Sequence, residues 1–446
     1  MSRAGPSFSS DVLATLASTW GVLVCNVASG IVVARVLGPG QKGLFVLTFL
    51  LLNQMVAIGS FGVPHALVYF VAGGRLAPAV ALGHLLVLSA GFAAVLAVPY
   101  AAIVLLLGPQ LFKGVDLRTL PVVGSLLFPV LLFGNAGGVL RGLGRVDLFN
   151  WLRLAEAAVG CLFVAAALLV LRGGVRAAVL AASAGETTAG ALGVWLALRA
   201  VGTRPRWEPG SLWPVVRYGL KSHVALVLQM TERKIDMFLL GYFLPLETAA
   251  AQIGLYSVAV ALAELPRNIA GAVSTALLPR IAADGPRASR RSVPRVSRHL
   301  VAANVACGLA VALLARPLIA LVYGPRFLPS VRPLLLLLPG VVMAGVWNVF
   351  QAELVGTGRA ARPSAFAALT LTLNVALNVA AIPRWGIVGA AVTSGITYSL
   401  LAVCLLADYR LRHRDVRLRE LVLLSRGDVA EQAARLRRMR IARGVG

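Results

Sequence analysis

Residues 229–241 read QMTERKIDMFLLG and place four ionisable side chains between Glu232 and Asp236. Apolar residues flank this stretch on both sides, over residues 224–228 and 237–246. We interpret the whole segment as a transmembrane helix, so its charges lie inside the membrane rather than at its border. Ionisable groups in that position are costly unless they pair or face water, which makes them functional candidates by default.

Composition places the chain among membrane proteins. Its 446 residues are 59% hydrophobic and 13% charged, and the mean hydropathy is +0.84. Soluble domains carry about a quarter charged residues. Apolar runs close to the roughly 20 residues that cross a bilayer recur from end to end. The sequence therefore predicts an all-α, polytopic membrane protein.

The excess of basic residues is explained by their position in loops and in the C-terminal tail. A net charge of +25 would suggest nucleic acid in a soluble chain, but most arginines lie in loops and in the C-terminal tail, as the positive-inside rule requires. We therefore expect no nucleic-acid partner. The four cysteines lie far apart in apolar spans without metal-ligand spacing, and we interpret them as small core residues.

Hydropathy predicts twelve membrane spans. The second span contains Gly59, Gly62 and Pro64, which predict a bend. In the eleventh span, Asn374 and Asn378 are four residues apart, and we expect them to hydrogen-bond between helices. A basic loop is predicted over residues 280–298. The spans cover residues 10–36, 43–72, 78–107, 120–140, 148–171, 176–198, 213–243, 254–278, 299–323, 328–354, 363–382 and 386–407.

Loop charge predicts the orientation and the domain limits. The loops after even-numbered spans hold most of the arginines, so we expect both termini in the cytoplasm. The polar stretch at residues 199–210 is the best boundary between halves. We predict a six-helix lobe over residues 1–210, a second six-helix lobe over 211–408 and a basic cytoplasmic tail over 409–446. We expect this tail to lie against anionic lipid.

Two short motifs recur in the two halves. Residues 43–45 (GLF) correspond to 254–256 (GLY), and residues 142–145 (GLGR) correspond to 356–359 (GTGR), at offsets of 211 and 214 residues. A common tight cytoplasmic turn also explains the second motif. With six spans in each half, the repeat is parallel, and transporters of this kind hold substrate between their halves and work by alternating access.

Several motifs, in order along nearly the whole chain, carry a family resemblance. The longer motifs are residues 34–39 (ARVLGP), 43–45 (GLF), 254–259 (GLYSVA), 278–281 (LPRI), 323–327 (YGPRF) and 382–391 (IPRWGIVGAA). Two shorter motifs are Tyr218-Gly219-Leu220 and Asp236 with residues 239–241 (LLG). In these motifs the chain resembles bacterial oligosaccharide flippases of the Wzx type, in the multidrug/oligosaccharidyl-lipid/polysaccharide exporter superfamily.

The resemblance implies a two-lobed, MATE-like membrane transporter rather than an enzyme. It implies flipping of an undecaprenyl-diphosphate-linked oligosaccharide from the cytoplasmic to the outer leaflet of the bacterial inner membrane, in polysaccharide biosynthesis. Other polysaccharide-assembly proteins are candidate partners. We expect no cofactor, and coupling to H⁺ or Na⁺ stays open.

A lipid-linked sugar diphosphate needs cationic sites in a hydrated cavity and a groove for its lipid. In a continuous helix, Arg233 and Asp236 share one face. We expect Arg35 to fix the turn after the first span, with substrate contact second. The structural alternative is that Glu232, Arg233 and Asp236 pair only to stabilise helix packing. The candidate substrate-binding residues are Arg217, Lys221, Arg233, Lys234, Arg267 and Arg35; the candidates for ion coupling or charge pairing are Glu232, Asp236 and Glu264.

The sequence leaves three alternative functions. A glycan polymerase or ligase is expected to carry a large external loop with catalytic residues, and the loops here are short. A multidrug cation efflux antiporter of related fold should expose carboxylates without bases, whereas the seventh span offers both. A lipid II flippase of the same superfamily usually has fourteen spans, against the twelve predicted.

Overall fold

The chain is helical throughout the part that its computed structural model describes, which is residues 8–357, 359, 361–424 and 428. These ranges contain no strand, which confirms the all-α prediction. Some side chains inside these ranges fall outside the description, namely those of residues 8–14, 16, 221, 222, 225, 269–292, 355 and 356.

The α-helices follow one another with short turns between them. Single turns of π- or 3₁₀-helix lie at Ala166–Val170, Pro209–Ser211 and Pro325–Ser330. The helices are α1 Phe8–Gly59, α2 Val63–Ala72, α3 Pro78–Leu111, α4 Thr119–Gly124, α5 Leu127–Gly142, α6 Val146–Ala165, α7 Val175–Val201, α8 Leu212–Glu232, α9 Ile235–Phe243, α10 Leu246–Val322, α11 Val331–Gly356, α12 Ala361–Arg412 and α13 Leu418–Val422.

The helices account for the predicted spans. Nine helical segments among the described residues are long and apolar enough to cross a membrane. Two of them, Ala17–Ala72 and Ala361–Arg412, contain a non-helical glycine, Gly38 at φ 72° and Gly386 at φ 55°. Each kinked segment therefore supplies two spans. Helices α8 and α9 are not among the nine, and together they cover the predicted seventh span.

The residues form two compact units. The first comprises Met1–Ser257 with Ile319–Leu328, and the second Val258–Leu318 with Pro329–Gly446. The first unit thus contains α8 and α9, which the sequence analysis assigned to the second lobe. The lobe boundary at residue 210 stays a prediction, because a packing unit and a sequence repeat need not share their limits.

Helix α10 includes a stretch predicted as a loop. Residues 280–298, predicted as a basic loop between two spans, have a helical backbone, since alanine and arginine favour helix. Gly254, near the start of α10, lies against Pro39, and Arg35 bonds carbonyls at its end. A straight helix of 77 residues would be about 115 Å long. The chain therefore reverses direction between its two membrane spans.

The bend predicted in the second span is confirmed. Helix α1 ends at Gly59 and α2 begins at Val63, after a turn in which Phe61 and Gly62 adopt positive φ angles of 44° and 68°. Close approach of α5 stabilises this region, because a Cβ at Gly138 would meet the backbone of Pro64 at 2.6 Å. Small residues let membrane helices approach in this way.

A buried polar ladder joins the two halves of α12. Asn374 Nδ2 donates to Thr397 Oγ1 at 3.0 Å, and Asn378 Nδ2 donates to Asn374 Oδ1 at 2.8 Å. Thr393 Oγ1 donates to Asn378 Oδ1 at 2.7 Å. All four side chains are buried. The interhelical hydrogen bonding predicted for the two asparagines is confirmed, and it crosses the kink at Gly386.

An ion network fixes the end of the second unit. Two nitrogens of Arg412 donate to the Glu353 carboxylate at 2.8 and 2.6 Å, and Arg412 Nε donates to Asp408 at 2.8 Å. Glu353 is 1% exposed. Bidentate geometry of this kind is the strongest form of ion pair.

The described part of the tail packs onto the same unit. Ser297 Oγ donates to the Leu421 carbonyl at 2.8 Å, and Arg298 pairs with Asp428 at 2.6 Å. Residues 425–427 and 429–446 lie outside the described residues. The predicted contact of the tail with anionic lipid stays a prediction.

Replacing Glu353 by Gln should lower the free energy of unfolding by about 2 kcal/mol, because the half-buried Arg412 loses its bidentate carboxylate and keeps only Asp408. The matched control is Asp147→Asn, which breaks the pair with Arg145 at 3.0 Å between side chains 47% and 58% exposed. An exposed pair contributes about 1 kcal/mol or less. Denaturing-detergent titration of the purified protein measures both changes; equal losses would contradict the ranking.

Candidate functional site

The charged stretch of the seventh span lies at a break between two helices. Helix α8 ends at Glu232 and α9 begins at Ile235, so Arg233 and Lys234 lie between them. The amide of Lys234 donates to the Thr231 carbonyl at 3.0 Å. This bond spans three residues, the tighter 3₁₀ pattern that is frequent at helix ends. The prediction of one continuous charged helical turn is therefore wrong.

At the break, the acidic side chains are more deeply buried than the basic ones. Glu232 is fully buried and Asp236 is 1% exposed, whereas Arg233 and Lys234 are half-buried. The structure therefore brings these four predicted residues together, with the carboxylates in the protein interior and the bases closer to its surface.

Asp236 ties the start of α9 to α10. The hydroxyl of Tyr256 donates to Asp236 Oδ2, and the amide of Met237 donates to Oδ1 at 2.8 Å. Arg233 Nε donates to the Gln229 carbonyl at 3.3 Å. A carboxylate that accepts a backbone N–H at a helix start also interacts favourably with the positive end of the helix dipole.

The bend between α1 and α2 lies against α8, the helix that ends at the charged residues. His223 Nε2 lies 2.7 Å from the Ala57 carbonyl oxygen, and Gln54 Nε2 donates to Thr231 Oγ1 at 2.6 Å. Sequence reasoning did not select these residues or Tyr256 as site residues. Their signal was a polar side chain within an apolar span, which many residues of the chain share.

A second cluster lies in the other unit. Arg267 pairs with Glu264 at 2.8 Å and is 6% exposed. Its Cζ lies 4.8 Å from the ring centroid of Tyr398 and 5.4 Å from that of Trp347. Within the described part of the chain, its Nε and one terminal nitrogen have no hydrogen-bond partner. Cation–π contact and one ion pair thus hold this buried guanidinium.

The remaining predicted residues lie elsewhere. Arg217 is exposed on α8, and the Lys221 side chain lies outside the described residues. Arg35 Nε donates to the Val322 carbonyl at 2.8 Å, and a second nitrogen donates to the Leu321 carbonyl. Arg35 therefore binds the last carbonyls of α10.

Replacing Tyr256 by Phe should lower the free energy of unfolding by about 1.5–3 kcal/mol, the usual range for a hydrogen bond to a buried charged group. The matched control Tyr242→Phe changes a side chain of α9 that is 46% exposed and should cost about 0.5 kcal/mol or less. Denaturing-detergent titration compares them. Equal effects of both substitutions would mean that the Tyr256 hydroxyl does not stabilise Asp236.

Known structures with low sequence identity share this fold. A structure described as lipid II flippase MurJ in an inward closed conformation matches with a TM-score of 0.75 at 12% identity, over 89% of this chain and 87% of its own. An inward-facing multidrug resistance MATE family transporter of the MOP superfamily matches at 0.71 and 16% identity, over 91% and 98%.

A third match is a MOP superfamily transporter from Pyrococcus furiosus, whose title reports reverse polarity of its binding pocket. Its TM-score is 0.61 at 16% identity, over 90% of this chain and 94% of its own. No curated protein sequence matches the chain significantly. A family model described as polysaccharide biosynthesis protein matches residues 32–332. The chain therefore belongs to this family of polysaccharide biosynthesis proteins.

Proposed function

We propose that the protein flips an undecaprenyl-diphosphate-linked oligosaccharide from the cytoplasmic to the outer leaflet of the bacterial inner membrane. The observation that carries the proposal is the helix break, where Arg233 and Lys234 are half-buried beside two buried carboxylates. A diphosphate is an anion that guanidinium and ammonium groups bind well. Membership of a polysaccharide biosynthesis family supports a glycan as the cargo.

The chemistry of the break suits a reversible anion site. A base inside a membrane protein needs a partner when substrate is absent, and nearby carboxylates supply one. The diphosphate would exchange places with these carboxylates as the partner of Arg233 and Lys234. Uptake of H⁺ or Na⁺ by the displaced carboxylates would compensate their charge while the diphosphate is bound, and its loss would favour release of the substrate.

The structural relatives support a lipid-linked cargo and a transport cycle. The relative described as a lipid II flippase has a TM-score of 0.75 with this chain. We propose alternating access, cytoplasmic termini and assembly with other polysaccharide-synthesis proteins. The chain acts as a transporter rather than as an enzyme and uses no organic cofactor in this proposal.

Three carboxylates are the proposed sites of ion coupling. Glu232 and Asp236 flank the helix break, and Glu264 pairs with Arg267 in the second unit. Binding of H⁺ or Na⁺ at one of them would change which bases are available to the diphosphate. Arg267 is the proposed cationic site of the second unit.

Replacing both Arg233 and Lys234 by Ala should abolish glycan export in cells while protein levels stay unchanged, because the anion loses its half-buried bases. The control is Arg384→Ala, which removes an exposed guanidinium that donates to a carbonyl of its own helix at 2.7 Å. Export is measured as surface polysaccharide, beside membrane protein levels from immunoblotting.

Persistent export in the Arg233/Lys234 double variant would overturn the role of the break. A multidrug cation antiporter is the competing function, since buried acids such as Glu232 and Asp236 suit a cationic drug. That function predicts resistance to cationic drugs that survives the double substitution and is lost in Asp236→Asn.

A further inference from the structure

The two glycines of the internal repeat meet in space. A Cβ built at Gly43 would overlap the Ala250 carbonyl, and one at Gly254 would overlap the Pro39 carbonyl. Each Cβ would also lie 3.0 Å from the other glycine's backbone nitrogen. Pro39 and Ala250 have the same offset of 211 residues as the glycines. The contact is therefore pseudo-symmetric, because a glycine of each half packs against the backbone of the other half.

Two cations flank this glycine contact. Lys113 Nζ donates to the Tyr242 and Leu244 carbonyls at 2.7 and 2.6 Å, at the end of α9. Arg35 Nε donates to the Val322 carbonyl at 2.8 Å, at the end of α10. Positive side chains at helix C-termini satisfy free carbonyls and interact favourably with the helix dipole.

The two cation contacts are also related by the repeat. Arg35 ends the first span and reaches the end of the ninth, whereas Lys113 follows the third span and reaches the end of the seventh. In a parallel repeat of six spans, the first span corresponds to the seventh and the third to the ninth. The two contacts thus join equivalent pairs of spans, although both cations belong to the first half and both sets of carbonyls belong to the second.

We propose that Gly43, Gly254, Arg35 and Lys113 form an outer clasp, closed in this structure, that opens to release the flipped substrate. This inference rests on the proposed transport function and orientation. In that orientation, the turns that follow odd-numbered spans, including those at Arg35 and Lys113, lie on the outer side of the membrane. Glycines have no side chains to interlock, so the two backbones separate without repacking. The cations cap the helix-end carbonyls only while the clasp is closed, and water replaces them when it opens.

A reporter cysteine tests the clasp in intact cells. Leu47 is fully buried, and its Cδ2 lies 3.5 Å from a Cβ built at Gly241. The reporter is Leu47→Cys in a chain whose four native cysteines are replaced by Ala. A membrane-impermeant maleimide, added outside, labels this cysteine only when the outer side is open.

The double substitution Arg35→Gln/Lys113→Gln should raise the labelling rate roughly tenfold, the effect of losing about 1.4 kcal/mol of charge-assisted hydrogen bonding. Gly254→Ala should act in the same direction, because its Cβ displaces the Pro39 loop. The matched controls are Arg118→Gln, an exposed base near Lys113, and Gly40→Ala, which has no atom within 4 Å of its Cβ. Both controls should label at the original slow rate.

Equal labelling of the clasp variants and their controls would overturn the inference. The charge-preserving pair Arg35→Lys/Lys113→Arg should restore slow labelling; fast labelling in that pair would also contradict the clasp, since it would report misfolding rather than lost capping. Labelling needs no substrate, so its outcome is separate from that of the export assay. Fast labelling with unimpaired drug export and no glycan export would uphold the clasp and refute the proposed cargo.

Discussion

A membrane offers no water to the backbone groups that a broken helix frees, so the protein itself must bond them. In the first unit, His223 lies against the Ala57 carbonyl beside the α1–α2 bend, and the Asp236 carboxylate accepts the amide of Met237 in the first turn of α9. Lys113 and Arg35 bond the carbonyls at the ends of α9 and α10. Polar and charged side chains, which are themselves costly in a membrane, thus stabilise the irregular backbone of this protein by bonding its free amides and carbonyls.

This dependence explains why charge and helix breaks occur together. A continuous helix would bond its own backbone and would point the consecutive side chains of Glu232, Arg233 and Lys234 in different directions. At the break, the acids are buried, with Asp236 bonded to Tyr256, while the two bases stay half-buried. A base in that position can change partners, which is what an anion site in a transporter requires.

The sequence predicted the fold well and the site only in part. Hydropathy identified the membrane helices because each span carries its own apolar signal, and Asn374 with Asn378 marked the interhelical ladder. The break at Arg233 was not predictable, because no Gly or Pro interrupts residues 229–240. The bonds of Arg35 and Lys113 join residues more than a hundred positions apart, so no local pattern reports them. The repeated Gly-Leu-aromatic motif was the sequence signal for the neighbouring contact between Gly43 and Gly254.

Transfer of a defined lipid by the purified protein distinguishes a lipid-linked glycan cargo from a cationic drug cargo. The measurement is movement of a fluorescent undecaprenyl-diphosphate oligosaccharide between the leaflets of proteoliposomes, followed by chemical quenching of the outer leaflet, with a cationic drug in excess as competitor. A lipid flippase should give protein-dependent transfer that the drug does not slow. Transport of the drug, with lipid transfer no faster than in protein-free liposomes, would contradict the proposed cargo.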